Sequence, residues 1–221
     1  MKKTKIELKV ILTVLFTSCL LIANVVTAKQ IQFPFGITMT GAIVIFPITY
    51  ILSDVFSEVY GYRWSRITCY MAFAMNLLMV AAFQIVISTP APSYWTNQEA
   101  FATVLGNAPR VLAASLLGFM AGDFVNDRVF RRMKQNHPDE LKGFGWRAIL
   151  SSFCGEAADS ALFIPIAFIG TMPARDMVMM AITQVCLKVL YEIIILPVTT
   201  LVCKRVKAYE QLRLQRTTME E

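Results

Sequence analysis

Four ionisable side chains lie inside the most apolar part of the sequence and are best placed to do chemistry. Glu156 and Asp159 are three residues apart in GEAADSALFIPIAFIG. Lys188 and Glu192 are four residues apart in CLKVLYEIIILPVTT, and Gln184 precedes them by one helical turn. Such spacings place the members of each pair on one side of a helix. Charges of both signs on facing helices predict either a structural salt bridge or a site for a small polar ligand or an ion.

The apolar surroundings make these charges costly. A single charge near the centre of a bilayer costs about 2.5–3.5 kcal/mol, so four unpaired charges facing lipid would cost on the order of 10 kcal/mol. They must therefore face the interior of a helix bundle and find partners. A bridge between Asp159 and Lys188 is one interpretation. The four groups keep a net charge of −2, and this excess favours the second interpretation, a site that takes a ligand or an ion.

The elements that position these charges are predicted to be membrane helices. Of 221 residues, 56% are hydrophobic and 16% are charged, against about 45–50% and about 25% in soluble domains. Several apolar runs approach the roughly 18–20 residues that a helix needs to cross a bilayer. We predict an all-α fold, a single polytopic transmembrane domain over residues 1–221. Its six spans lie at about 10–28, 37–57, 65–88, 109–130, 146–170 and 174–204.

Basic residues orient these spans. Most of the 21 lysines and arginines precede the first span, follow the sixth, or lie between the second and third or the fourth and fifth spans. The positive-inside rule then predicts an inner-membrane protein with both termini in the cytoplasm. The basic residues behind the net charge of +6 thus lie where they orient the spans, and they do not form a patch for nucleic-acid binding. A signal peptide ending near Ala28 is an alternative for the N-terminus, disfavoured by the length of the apolar run.

Further polar residues lie at or inside the predicted spans. Arg110 begins the fourth span, where the helix dipole disfavours a cation, so we expect an anionic partner or ligand, or a side chain that reaches the membrane surface. Asn24 is expected either to join helices by hydrogen bonds or to contact a ligand. Asp54 and Glu58 are four residues apart at the end of the second span. They are candidates for coupling or gating, with an interfacial ion-pair cluster as the alternative.

Prolines are predicted to make the bundle irregular. Pro47, Pro165 and Pro197 fall inside predicted spans, and an internal proline removes a backbone hydrogen bond and tends to kink its helix. Kinks in three helices favour an internal cavity.

Enzymatic chemistry is poorly supported. The five cysteines form no CxxC pair and His137 is the only histidine, so the sequence predicts no metal site and no nucleophile paired with a base. We therefore expect a protein that is not an enzyme and has no cofactor.

Four segments carry a resemblance to a known family. ILSDVFSEVYGYRWSR, GDFVNDRVFRRMKQ, SSFCGEAADSALFIPIAFIG and CLKVLYEIIILPVTT resemble the queuosine-precursor transporter family of small bacterial inner-membrane proteins. The resemblance extends from about Asn24 to Pro197. It implies six helices in a fold similar to the substrate-binding subunits of energy-coupling-factor vitamin transporters. It also implies uptake of a 7-deazaguanine: the cyano or aminomethyl precursor of queuosine, or queuine.

The resemblance implies roles for particular residues. Asp54, Arg110, Asp159 and Lys188 match positions that recur in the family. Glu156 and Glu192 are positions where members differ, which are the places to look for differences in substrate preference.

The substrate class agrees with the charges already described. A deazaguanine presents adjacent N–H donors that one carboxylate accepts in a bidentate manner, so Glu156 or Asp159 is expected to bind that edge. Lys188 or Arg110 is expected to contact the carbonyl, and Glu192 to take an aminomethyl group or a proton. Phe163 is expected either to form an aromatic wall or to pack in the core.

Other functions remain alternatives at this point. The same fold could carry another small polar heterocycle or vitamin, serve as a substrate-binding subunit that needs an energising partner, or act on a lipid. The partners expected are a small-molecule substrate and the lipid bilayer, with a homo-oligomer left open.

Overall fold

A computed structural model describes residues 7–34, 37–136 and 144–220. Lys2, Lys3 and Lys5, which are among the basic residues before the first predicted span, lie outside this part of the chain. The helices are α1 (Leu8–Val26), α2 (Phe46–Val55), α3 (Tyr62–Ser88), α4 (Gln98–Leu105), α5 (Ala108–Asn136), α6 (Phe144–Phe168) and α7 (Ala174–Glu220). Two short strands, β1 (Gln30–Gln32) and β2 (Thr38–Thr40), pair antiparallel between α1 and α2.

Within the described residues, five helices are long and apolar enough to cross a membrane. These segments are Leu8–Val26, Tyr62–Ser88, Gln98–Met133 (which runs through α4 and most of α5), Ile149–Phe168 and Ala174–Arg213. Large apolar side chains such as Leu77, Ile85 and Ile194 are exposed on their outer surfaces, as expected of a protein whose solvent is lipid. The prediction of a mostly helical, polytopic membrane protein is therefore confirmed.

The second predicted span, residues 37–57, departs from a regular helix. It begins as strand β2 and continues through the 3-10 turn Gly41–Val44 before α2 starts. A π-helical turn, Phe56–Tyr60, follows α2. The expectation of an all-α chain with one continuous helix here is therefore wrong in detail.

Pro47 and Gly61 explain where this irregular segment changes course. Pro47 lies in the first turn of α2 and not in its interior, where its missing N–H would have had no helical partner. The predicted kink at Pro47 is therefore wrong. Gly61 has a φ of 82°, a left-handed conformation that glycine adopts without steric cost, and it separates the π-helical turn from α3. Pro165 and Pro197 do lie inside helices, α6 and α7.

Helices α5 and α6 approach each other closely because glycines line their contact. A Cβ atom on Gly122 would lie 3.0 Å from the carbonyl oxygen of Gly155, and one on Gly155 would lie 2.9 Å from the Cβ of Asn126. Small residues in such positions let membrane helices pack backbone against backbone. One turn after another along α5, Gly118 and Gly122 form a G-x-x-x-G pair facing α6. This contact determines the separation of the two helices beside the intramembrane acids.

The long helix α7 brings the two ends of the chain together. Its last turns extend past the apolar run, where Glu210 accepts a hydrogen bond from the Tyr60 hydroxyl at 2.9 Å. Arg213 forms an ion pair with Glu7, just before α1, at 3.0 Å. The beginning of α1 and the end of α7 therefore lie at the same end of the bundle.

Candidate functional site

The charged residues predicted on α6 and α7 meet in the interior of the bundle. The Nζ of Lys188 lies 2.6 Å from Oε2 of Glu156 and 2.9 Å from Oδ2 of Asp159. Lys188 is 8% exposed, and both carboxylates are partly buried. The predicted pairing of Asp159 with Lys188 is present, and Glu156 shares the same ammonium group. We call these three residues the charge cluster; one cation against two anions leaves it at −1.

Aromatic side chains from α2 cover one side of the charge cluster. The Tyr50 hydroxyl donates a hydrogen bond to Oε1 of Glu156 at 2.9 Å. The Nζ of Lys188 lies 5.3 Å from the centre of the Phe46 ring, a cation–π geometry. Tyr191 on α7 lies beside Tyr50, with ring centres 6.4 Å apart. Polar groups thus lie against flat apolar surfaces, the usual composition of a small-molecule site.

Glycine on α5 forms the opposite side of the charge cluster. A Cβ atom on Gly118 would lie 2.5 Å from Oδ1 of Asp159 and 3.3 Å from the Cβ of Phe163. The Asp159 carboxylate therefore occupies space that only glycine leaves open. Phe163 itself belongs to the buried core of α5, α6 and α7. Its surroundings therefore agree with the core-packing alternative.

Two buried polar atoms close to the charge cluster lack a hydrogen-bond partner among the described residues. They are Oε1 of Gln184 and Oγ of Ser160, on side chains that are 2% and 1% exposed. Gln184 lies one turn before Lys188, and Ser160 lies one turn after Glu156. Buried polar groups are nearly always paired, so a bound water or a ligand is expected to supply the missing partners.

Glu192 lies at the edge of the charge cluster. Its Oε1 accepts a hydrogen bond from the Ser152 hydroxyl at 3.3 Å, and it interacts electrostatically with Asp54 and Glu156. Asp54 is exposed, and in the described part of the chain its interactions are electrostatic ones with Glu192 and Cys203. The predicted coupling residue Asp54 and Glu192 are therefore two exposed acids within electrostatic range of each other.

Glu58, the second predicted coupling residue, lies apart from the charge cluster. It forms an exposed ion pair with Lys207 at 3.5 Å. Arg66, which follows Asp54 and Glu58 in the sequence, pairs with Asp123 on α5 at 2.6 Å.

Arg110 is not part of the charge cluster. Its Nε and one terminal nitrogen donate hydrogen bonds to the carbonyl oxygens of Ile166 and Ile169 at 2.5 Å. These carbonyls lie at the end of α6, where helix carbonyls have no intrahelical partner and a cation is favoured by the dipole. Arg110 also lies eight residues before Gly118, the α5 residue beside Asp159, which is about 12 Å along the helix axis. The structure therefore places Arg110 on the carbonyls at the end of α6 and away from Glu156 and Asp159.

Asn24 lies in a separate buried network. Its Nδ2 donates a hydrogen bond to Oδ1 of Asn76 at 2.5 Å, and its Oδ1 accepts one from Ser115 at 3.2 Å. These bonds join α1, α3 and α5. The geometry favours interhelical hydrogen bonding over ligand contact for Asn24.

A polar cavity of about 380 Å³ lies between α3, α5 and α6, near the end of the bundle that holds both ends of the chain. Its lining includes Arg66, Asp123, Asn126, Asp127, Arg131 and Ser152. Ser152 also contacts Glu192, so the cavity lies next to the charge cluster.

Sequence reasoning missed three residues of the site. Tyr50 and Phe46 lie in a segment that gives no local sign of contact with α6 and α7. Gly118 could have been found, because G-x-x-x-G in an apolar segment indicates close helix packing.

The comparisons with known proteins agree with a membrane carrier. A curated protein of Bacillus subtilis (strain 168) named "Probable queuosine precursor transporter" is 27% identical over 179 residues, which are 79% of this chain and 76% of that protein. No solved structure matches significantly. A profile of the family described as "Putative vitamin uptake transporter" matches residues 40–202, a range that includes all of the charge cluster. The chain therefore belongs to this family of transporters.

Proposed function

We propose that this protein imports a queuosine precursor, a 7-deazaguanine base, and that the charge cluster binds it. One observation carries the proposal: a buried lysine shared by two carboxylates in the bundle interior, with a net charge of −1 and two unpartnered polar atoms nearby. A purely structural bridge needs neither the second carboxylate nor the unpartnered atoms. The name of the Bacillus subtilis relative supports the substrate class.

The chemistry of the base fits the cluster. The adjacent N–H and amine donors of a deazaguanine suit the carboxylate of Asp159 or Glu156. Its carbonyl accepts a hydrogen bond from Lys188, a role for which we now favour Lys188 over Arg110. The ring packs against Phe46, Tyr50 and Tyr191. An aminomethyl group brings a positive charge that offsets the −1 of the cluster.

The remaining expectations form part of the same proposal. Residues 37–57, the second predicted span, form the sixth membrane crossing and include α2, and the fold is similar to the substrate-binding subunits of energy-coupling-factor transporters. The protein lies in the inner membrane with both termini in the cytoplasm, supported by the distribution of basic residues and by the Glu7–Arg213 contact. Glu192 takes the aminomethyl group or a proton, and Asp54 and Glu58 act in coupling or gating.

Uptake of labelled base tests the substrate. Cells that cannot synthesise queuosine precursors should recover queuosine in tRNA when they express this protein and receive the cyano or aminomethyl base. Lys188→Met should abolish recovery, while Lys204→Met, an exposed lysine on the same helix, should not. Recovery without the protein, or none with it, would refute the substrate; uptake of another heterocycle would replace it.

Purified protein in liposomes tests whether a partner is needed. Accumulation of base inside the liposomes shows that this chain suffices. Binding without transport would instead support a substrate-binding subunit that requires an energising module.

A charge swap separates binding from structural support. The double variant Asp159→Lys, Lys188→Asp preserves an ion pair at the same place. If the pair only supports the fold, transport returns in the double variant; if both groups touch the base, the double variant folds and does not transport.

A further inference from the structure

The cavity between α3, α5 and α6 has features of a ligand site of its own. Its volume of about 380 Å³ falls within the roughly 300–1,000 Å³ of small-molecule pockets. Two ion pairs line it: Arg66 with Asp123 at 2.6 Å, and Arg131 with Asp127 at 2.6 Å. It therefore presents carboxylates, guanidinium groups and a serine hydroxyl around one space, with no net charge from these four side chains.

The cavity and the charge cluster lie along the same side of α6. Helical residues are rotated by about 100° each, so Ser152 and Asp159, seven apart, point in nearly the same direction. Gly155 lies between them on this side, in close contact with Asn126 of α5. This contact of α5 with α6 lies between the cavity and the charge cluster along α6, and the Ser152 hydroxyl donates a hydrogen bond to Glu192 on α7.

We propose that this cavity is a second, weaker binding site for the transported heterocycle, on the route between the charge cluster and the end of the bundle that holds the chain ends. The proposal rests on the proposed function, because it assigns the same ligand to both sites. The carboxylates of Asp123 and Asp127 accept its N–H donors, and Arg66 donates to its carbonyl, the polar groups that a guanine-like edge requires.

Charge makes the second site the weaker one. The charge cluster carries −1 and holds a cationic base by direct attraction, whereas the cavity is balanced and open to solvent screening. A transported molecule must bind well enough to enter and weakly enough to leave. The base would therefore bind first at the tight charge cluster and then at the weaker cavity, from which it can leave.

Equilibrium binding of labelled 7-aminomethyl-7-deazaguanine to the purified protein in detergent tests the proposal. We expect two bound molecules per chain, one tight and one weak. Asp127→Lys should weaken the second site by about tenfold, and Arg131→Glu should strengthen it by about as much, as two unit charges several ångströms away in a wet site would do. The tight site should be unchanged in both variants.

The variants are chosen to preserve the fold. Asp127 and Arg131 form an exposed pair four residues apart on one helix, and such pairs contribute little to stability. Asp176→Lys is the matched control, because it makes the same charge change on an exposed side chain in the first turn of α7, and it should leave both sites unchanged. Asp159→Asn should remove the tight site alone.

Each outcome decides between the proposals. A single bound molecule per chain that Asp159→Asn removes would overturn the second site and keep the proposed function. Two molecules whose weak binding does not respond to Asp127→Lys and Arg131→Glu would also overturn it, by locating the weak site elsewhere. No saturable binding to the unmodified protein would overturn both.

Discussion

Replacing Gly118 by alanine tests whether helix packing positions the Asp159 carboxylate. The substitution changes no polar group, yet the new Cβ would lie 2.5 Å from Oδ1 of Asp159, and ordinary contact begins at 3.4 Å. The carboxylate must therefore move by about 1 Å. Because both oxygens belong to one rigid carboxylate, this movement also disturbs the contact of 2.9 Å between Oδ2 and the Nζ of Lys188.

The size of the effect on binding follows from the hydrogen bond that a displaced Asp159 carboxylate would no longer make with the base. A hydrogen bond between charged groups contributes about 1.5–3 kcal/mol, and about 1.4 kcal/mol corresponds to a tenfold change in an equilibrium constant. If Asp159 binds the base, we expect the Kd for the base to rise by about 10- to 100-fold in Gly118→Ala. Overpacking of the α5–α6 contact should lower stability by about 1–3 kcal/mol in addition.

Gly122→Ala is the matched control one turn further along α5. Its Cβ would press on the Gly155 carbonyl oxygen at 3.0 Å and the Asp159 Cβ at 3.2 Å, without touching the carboxylate oxygens. Both variants should lower the Tm, whereas Gly118→Ala should weaken binding more. Isothermal titration with the aminomethyl base and thermal unfolding in the same detergent measure the two effects.

A double-mutant cycle with Asp159→Asn shows whether the two residues act together. Gly118→Ala should have little further effect on Kd once Asp159 has lost its charge. An unchanged Kd in Gly118→Ala, or fully additive effects with Asp159→Asn, would refute the reasoning that this glycine acts through the carboxylate.

Three further predictions concern other parts of the chain. Lys188→Met leaves two carboxylates without their shared cation, so we expect a stability loss of about 3–5 kcal/mol and no detectable binding of the base; denaturation and titration check this, and a stable, binding-competent variant contradicts it. Asn24→Ala removes the partner of the fully buried Asn76 and should cost about 0.6–2 kcal/mol, with transport by the folded protein unchanged; reduced affinity at unchanged Tm would indicate ligand contact. Hydrogen bonds from Lys9 and Arg213 lower the pKa of Glu7 below its usual value, so its contribution to stability is present above the unfolded-state pKa of about 4.3 and is lost as pH falls through the lower folded-state pKa. Glu7→Gln should therefore lower the Tm at pH 7 and show a smaller loss of Tm below about pH 4; parallel pH profiles for the two proteins would contradict this.

Local spacing predicted much of the charge cluster. Glu156 and Asp159 on one helix and Lys188 on the next were expected to share an interior face, because helical periodicity and the cost of a charge in lipid leave few alternatives. The same reasoning predicted a membrane bundle, since runs of apolar residues long enough to cross a bilayer are a property of the sequence itself.

Arg110 and the second span show where sequence reasoning was insufficient. The position of Arg110 at a helix start suggested an anionic partner, but the carbonyls at the end of α6 satisfy it. Those carbonyls are more than fifty residues away in sequence, and their position depends on how α5 and α6 pack. In the second span, apolar composition suggested one helix, whereas strand pairing and the position of Pro47 divide the segment.

The sequence by itself determined the class of the molecule, the approximate spans and the presence of buried charges, because these depend on composition and on contacts within single helices. Only the tertiary structure decided which groups surround Lys188: Tyr50 and Phe46 from α2, and the space left by Gly118 for Asp159. It also decided that Arg110 lies away from them and that a polar cavity lies between α3, α5 and α6. These facts depend on the separation and rotation of helices that are distant in sequence, which no periodicity within one helix can specify.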